Sequence, residues 1–172
     1  MKKEIELKIY SIATSLTESI IFLDEEDGIR ILPIWIGPAE AQAIAIKMSG
    51  YPSPRPMTHD LIYSMIRKFG FNVEKIVIDD MVENTYYSTI HVKTVAGKTS
   101  EIDARPSDAI ALAVRFAAPI FVNETIFSKT QVLTKPITED EVMKFKEDLK
   151  NLKPGDIINN PERDKNEGKD KE

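Results

Sequence analysis

The sequence predicts an α+β fold: a mixed, mainly antiparallel and curled sheet carrying helices, in the order β-β-β-α-α-β-β-β-α-β-α. Three observations lead there. Strand-like segments come in runs of three, which excludes the strict βαβ alternation of a doubly wound parallel sheet. Two helical segments follow the first run and one follows the second, each just after a proline. With 172 residues, 42% hydrophobic and 30% charged, the chain can bury one sizeable core and is expected to be globular.

Taken in order, Ile5, Leu7 and Ile9 alternate with Glu4, Glu6 and Lys8, the period of a strand with one wet face. Ile20 to Leu23 and Ile29 to Ile36 flank the turn residues Asp24 to Gly28 and read as a hairpin, with Pro33 confined to an edge or bulge. Gly37-Pro38 opens a thin helix with Ala41, Ile44, Ala45 and Met48 on one face, ending at Gly50. A second helix, capped by Thr58, carries Leu61, Ile62, Met65, Ile66 and Phe69. Val73 to Ile78, Thr85 to Val95 and Thr99 to Ala104 form an expected meander. Ser107 caps a third helix bearing Ile110, Ala113, Val114 and Ala117, and Pro119 to Val122 is a last buried strand.

Residues 1–135 are expected to be one domain, 136–153 a C-terminal amphipathic helix with Val142, Phe145, Leu149 and Leu152 in one stripe and a Thr138 to Glu141 capping box, and 154–172 a charged, disordered tail. Both halves run three strands towards an Arg-Pro helix start, Arg55-Pro56 and Arg105-Pro106, which suggests a loose internal repeat.

Composition narrows the function. The absence of cysteine excludes disulfides, thiolate metal sites and a cysteine nucleophile. No run of about 20 apolar residues exists to cross a membrane, and the first residues lack a secretory pattern, so the expected setting is cytoplasmic. The net charge of −5 is −2 in residues 1–135 and −3 in 136–172, so any phosphate site must be local. No HExxH, P-loop or GxGxxG motif occurs.

The Arg-Pro helix starts carry the most chemistry. Free N–H groups at a helix N-terminus, with an arginine fork just upstream, suit phosphate oxygens, so Arg55 with Thr58 and Arg105 with Ser107 are candidate phosphate ligands. The same residues also have a purely structural reading, as caps, dipole partners and carboxylate-paired arginines. His59 and Asp60 in the second helix's first turn, with Asp103 and Asp108 around Arg105, are candidate catalytic groups. Asp103 and Asp108, with Glu40 if its helix end converges on them, offer hard oxygen ligands for Mg²⁺ or Mn²⁺. His91 sits on the polar face of its strand and is given no role.

Three ordered motifs, Leu32-Pro33-Ile34-Trp35-Ile36-Gly37 with Glu40-Ala41, Arg55-Pro56-Met57-Thr58-His59-Asp60-Leu61, and Ile102-Asp103-Ala104-Arg105-Pro106-Ser107-Asp108-Ala109, closely resemble the bifunctional nuclease (BFN) domain family over about residues 5–130. The resemblance implies a mixed α/β domain, self-association with a dimer favoured, and a divalent-metal-assisted nuclease that hydrolyses phosphodiester bonds of RNA and/or DNA, cleavage of both being a property of plant members. The runner-up is a non-catalytic anion- or nucleotide-binding regulatory module acting as a homo-oligomer through the same arginines.

Overall fold

Apolar residues on both sides of one strand determine how the sheet is covered. The strands are β1 (Glu4–Thr14), β2 (Ser19–Glu25), β3 (Arg30–Ile36), β4 (Asn72–Val82), β5 (Thr85–Lys93), β6 (Thr99–Ala104), β7 (Ile120–Asn123) and β8 (Leu133–Thr134). The helices are α1 (Pro38–Ser49), α2 (Thr58–Lys68), α3 (Pro106–Phe116) and α4 (Glu139–Asn151), with a 3₁₀ turn over Glu124–Ser128. This computed structural model describes residues 3–15, 17–26, 28–135 and 139–151; the expected Thr138 cap, Leu152 and the tail from residue 154 lie outside the described residues.

In β2, Ile21 and Leu23 enter the main core with Leu32 and Ile34 of β3, Ile44 of α1, Ile110 of α3 and Ile76 of β4. Ile20 and Phe22 point the other way, into a second cluster with Ile31, Trp35, Leu133 and Phe145 of α4. Burial on both faces is why Ile20 to Leu23 shows no alternation. Phe145 is thereby covered, and its ring meets Tyr10 edge-on at 6.1 Å between centroids.

The described strands form one sheet in the order β6-β5-β4-β7-β1-β2-β3-β8, antiparallel throughout except where β4 runs parallel to β7. The expected α+β class and mainly antiparallel pairing are therefore observed. β3 and β5 stand far apart in that order, yet both line one cavity, so the sheet curls. Pro33 pairs with Phe22, but β8 reaches only Arg30 and Ile31, so the missing N–H falls beyond the outer ladder.

Three expectations need correction. The repeat is not built on the two Arg-Pro motifs. β1-β2-β3 leads directly into Gly37-Pro38 and α1, as β4-β5-β6 leads into Arg105-Pro106 and α3, so Arg55-Pro56 and α2 lack a counterpart. On α1 the buried residues are Ala41, Ala43 and Ile44, while Met48 is exposed; the helix packs against α3, whose Ala109, Ala111 and Ala113 are also buried. On α2 most of the apolar stripe faces outward: Leu61, Met65 and Phe69 are 56%, 51% and 64% exposed, Ile66 packs against the core, and the buried residue is His59.

The α3 helix ends at Ala117, whose φ of 52° lies in the left-handed region that suits glycine. Ala117→Gly should raise stability by about 0.5–1 kcal/mol, the left-handed penalty less glycine's extra chain entropy, measured by urea unfolding.

Candidate active site

The packing of α1 against α3 brings their N-termini to a common region. Both helices begin with proline at the first position, and neither has a side-chain cap. Each places a carboxylate three residues beyond its N-cap, Glu40 after Gly37 and Asp108 after Arg105. The caps differ from the expectation: the α3 N-cap is Arg105, and Ser107 is the buried second helical residue; the α2 N-cap is Met57, and Thr58 is the exposed first helical residue. The turn at α2 is instead secured by Asp60, whose Oδ2 accepts the Met57 N–H at 2.9 Å.

Arg105 joins the two carboxylates. Its Nε donates to Asp108 Oδ2 at 2.7 Å, and one terminal nitrogen donates to Asp108 Oδ1 at 3.1 Å and to Glu40 Oε1 at 2.8 Å. His59 completes the cluster from α2, its Nε2 3.0 Å from Asp108 Oδ1. An ionised carboxylate only accepts, so Nε2 carries the proton in this pair. Glu40 depends on Gly37: a Cβ at residue 37 would collide with the Glu40 carboxylate. The Arg105 side chain is 66% exposed, so exchanging its carboxylate partners for a phosphate costs little, since exposed ion pairs contribute only about 0–1 kcal/mol.

A second arginine, which the sequence reading passed over, holds the frame. Arg115 has a side chain only 2% exposed; its Nε donates to Asp60 Oδ1 at 2.7 Å, and its terminal nitrogens donate to the carbonyls of Ala111 at 2.8 Å and Ala43 at 3.3 Å. It therefore links α1, α2 and α3. Its signal was present, since it is the one charged residue between Asp108 and Glu124.

Burial opposes ionisation of Asp60, but the Met57 N–H and Arg115 outweigh it and hold its carboxyl below the ordinary range. At Asp108, burial is likewise outweighed by the hydrogen bonds from Arg105 and His59.

The expected residues thus divide. His59, Asp108, Arg105 and Glu40 form one cluster. Asp60 is engaged by Arg115. Asp103 is exposed on β6 opposite Thr89, and no ion pair joins it to the cluster. Arg55 lines a separate groove of about 430 Å³ with Lys47, Tyr63 and Arg115, whereas Arg105 and Ser107 line a cavity of about 490 Å³ with Trp35 and Tyr86. Among the described residues no three His, Asp or Glu side chains lie together as a complete metal cage. Glu40 and Asp108 do converge on one cationic nitrogen, and one or two carboxylates completed by substrate phosphate suffice for Mg²⁺.

The sequence matches the bifunctional nuclease domain over residues 21–135, and the chain belongs to that family. It is similar to an uncharacterized protein of Mycobacterium tuberculosis, 38% identical over 149 residues that cover 81% of this chain and 88% of that protein. It is also similar to bifunctional nuclease 2 of Arabidopsis thaliana, 31% identical over 109 residues, and to bifunctional nuclease 1 of Oryza sativa subsp. japonica, 29% identical over 122 residues. These matches cover 62% and 69% of this chain, but only 33% and 37% of the two plant proteins.

Arg115→Ala should cost about 3–5 kcal/mol in urea unfolding, because it strands Asp60 and two carbonyls. With folded pKa values lowered at Asp60 and Asp108, their stabilisation is complete above the unfolded aspartate value of about 3.9 and is lost as pH falls through the lower folded values. Asp60→Asn should therefore flatten the loss of stability below about pH 4, measured as the urea midpoint against pH.

Proposed function

We propose that this protein hydrolyses phosphodiester bonds of RNA and DNA at the cluster of Arg105, Glu40, Asp108 and His59. The observation that carries this reading is one exposed guanidinium held by two carboxylates at two converging helix N-termini. A scissile phosphate takes the Arg105 fork, and the uncapped N–H groups of the two first turns add positive potential. That exchange releases Glu40 and Asp108 beside the phosphorus: a carboxylate accepts a proton from water as the water oxygen bonds to phosphorus, and the P–O bond to the leaving alcohol breaks, its oxygen taking a proton from solvent. His59 is a positioning residue: its Nε2–H holds Asp108, which aims Arg105. Mg²⁺ or Mn²⁺ belongs to this proposal, with Glu40 and Asp108 as its protein ligands; when bound, such an ion supplies positive charge to the phosphoryl oxygens. The acidic chain makes nucleic-acid binding weak and local.

The closed pairing of every member of the cluster favours a second reading, a non-catalytic anion- or nucleotide-binding homo-oligomer. Cleavage of end-labelled single-stranded RNA and DNA separates the two. Arg105→Ala should lower cleavage by about 10²-fold or more, and chelation of divalent ions should abolish it. Gly37→Ala should leave the fold intact while displacing Glu40, with a smaller loss of rate. Turnover untouched by Arg105→Ala overturns the assigned site, and Arg105-dependent oligonucleotide binding without turnover under any divalent ion establishes the second reading.

Self-association is also proposed, favouring a dimer. The apolar surface left for it is the outward stripe of α2, with Leu61, Met65 and Phe69 exposed. Light scattering should give twice 19.4 kDa, and Met65→Asp should return it to 19.4 kDa. A monomer mass for the unaltered chain at high concentration contradicts the dimer.

A further inference from the structure

We propose that the cavity beside Arg105 is a base-binding pocket, which receives the nucleobase of a nucleotide whose phosphate lies on Arg105 and so restricts the site to unpaired strands. It extends the phosphate site proposed above and rests on Arg105 as the phosphate ligand. The cavity, of about 490 Å³, lies between the end of β3, the hairpin of β4 and β5, and the start of α3, within the usual range for small-molecule sites. Its walls supply Pro33, Ile34 and Met81 as apolar surface, and Trp35 and Tyr86 as aromatic surface. Planar heterocycles stack on such rings whatever their sequence identity.

Two groups give the pocket direction, Tyr86 in its wall and Arg105 at its mouth. Tyr86 donates its hydroxyl to Thr130 Oγ1 at 3.1 Å, which fixes the ring. Among the described residues Arg105 is the one charged side chain lining the cavity. The matching ligand is therefore a flat ring with an anion at its other end, the chemistry of a nucleotide. A base within a duplex is stacked and paired, and cannot enter without being extruded.

Trp35 is the only tryptophan in the chain, so its fluorescence reports the pocket directly. The full chain is titrated with adenosine 5′-monophosphate and with ribose 5-phosphate, following Trp35 emission and heat. The nucleotide should bind about tenfold tighter or more, with a change in emission that ribose 5-phosphate does not produce. Tyr86→Leu should bring the nucleotide down to the affinity of ribose 5-phosphate while leaving the latter unchanged. Equal affinities, or no binding of either, overturn the pocket. A second arm compares a single-stranded oligonucleotide with one carrying abasic residues. Slower cleavage of the abasic strand supports the pocket; equal cleavage of both overturns the pocket and leaves the nuclease reading standing. Cleavage of neither, with the nucleotide outbinding ribose 5-phosphate, overturns the nuclease reading and leaves the pocket standing.

Discussion

Arg115 is the constraint on which the arrangement of the three helices depends. A guanidinium shielded from water must be neutralised and have its N–H groups satisfied, and here the partners come from three different helices. Asp60 supplies the opposite charge, so α2 is held by its first turn against α3. The Ala43 carbonyl draws in α1. With α2 held in this way, the residue next to Asp60, His59, lies beside Asp108. The buried ion pair thus bears on the outer cluster through the placement of a neighbouring side chain.

Around this frame the charges are arranged in two tiers. Arg115 and Asp60 form the inner tier and are tied up in permanent contacts. Arg105, Glu40 and Asp108 form the outer tier, where the guanidinium is exposed and its contacts are replaceable. The difference follows from solvent: removing one partner of a buried pair costs several kcal/mol, whereas exchanging one at the surface costs about 0–1 kcal/mol. Two arginines ten residues apart along α3 and its N-cap therefore differ in kind, one buried and fixed and one exposed with replaceable partners.

Much of the fold was legible from the sequence because β-strand periodicity and turn residues are local. Alternation at Ile5, Leu7 and Ile9, and the meander after Val73, both correspond to observed strands. The two-residue strand β8 escaped notice because so short a pairing leaves no period to read. Helix faces were harder. The stripe on α2 reads as a core-facing surface, yet only part of it, Ile66, packs on the core, and the helix is held as well by Tyr63 against Phe116 and by the polar contacts of His59 and Asp60. Hydrophobic periodicity does not read the polar part of such a contact.

The site was legible as a set of residue types and less so as a geometry. Arg105, Asp108 and His59 were identifiable from helix-start chemistry, but the convergence of Glu40 depends on how closely α1 and α3 approach, which is a tertiary fact. The repeat that places it, Gly37-Pro38-Ala39-Glu40-Ala41 against Arg105-Pro106-Ser107-Asp108-Ala109, was hidden by the more conspicuous pairing of the two Arg-Pro dipeptides. Arg55 in fact faces a different groove from Arg105. The most direct test of Arg105 as the phosphate-binding residue is the nitrogen-15 resonance of its Nε–H during titration with a cleavage-resistant single-stranded oligonucleotide. Saturable movement of the Arg105 signal, with that of Arg115 unmoved, is the predicted result. Binding that leaves Arg105 unmoved and shifts Arg55 instead would contradict the account.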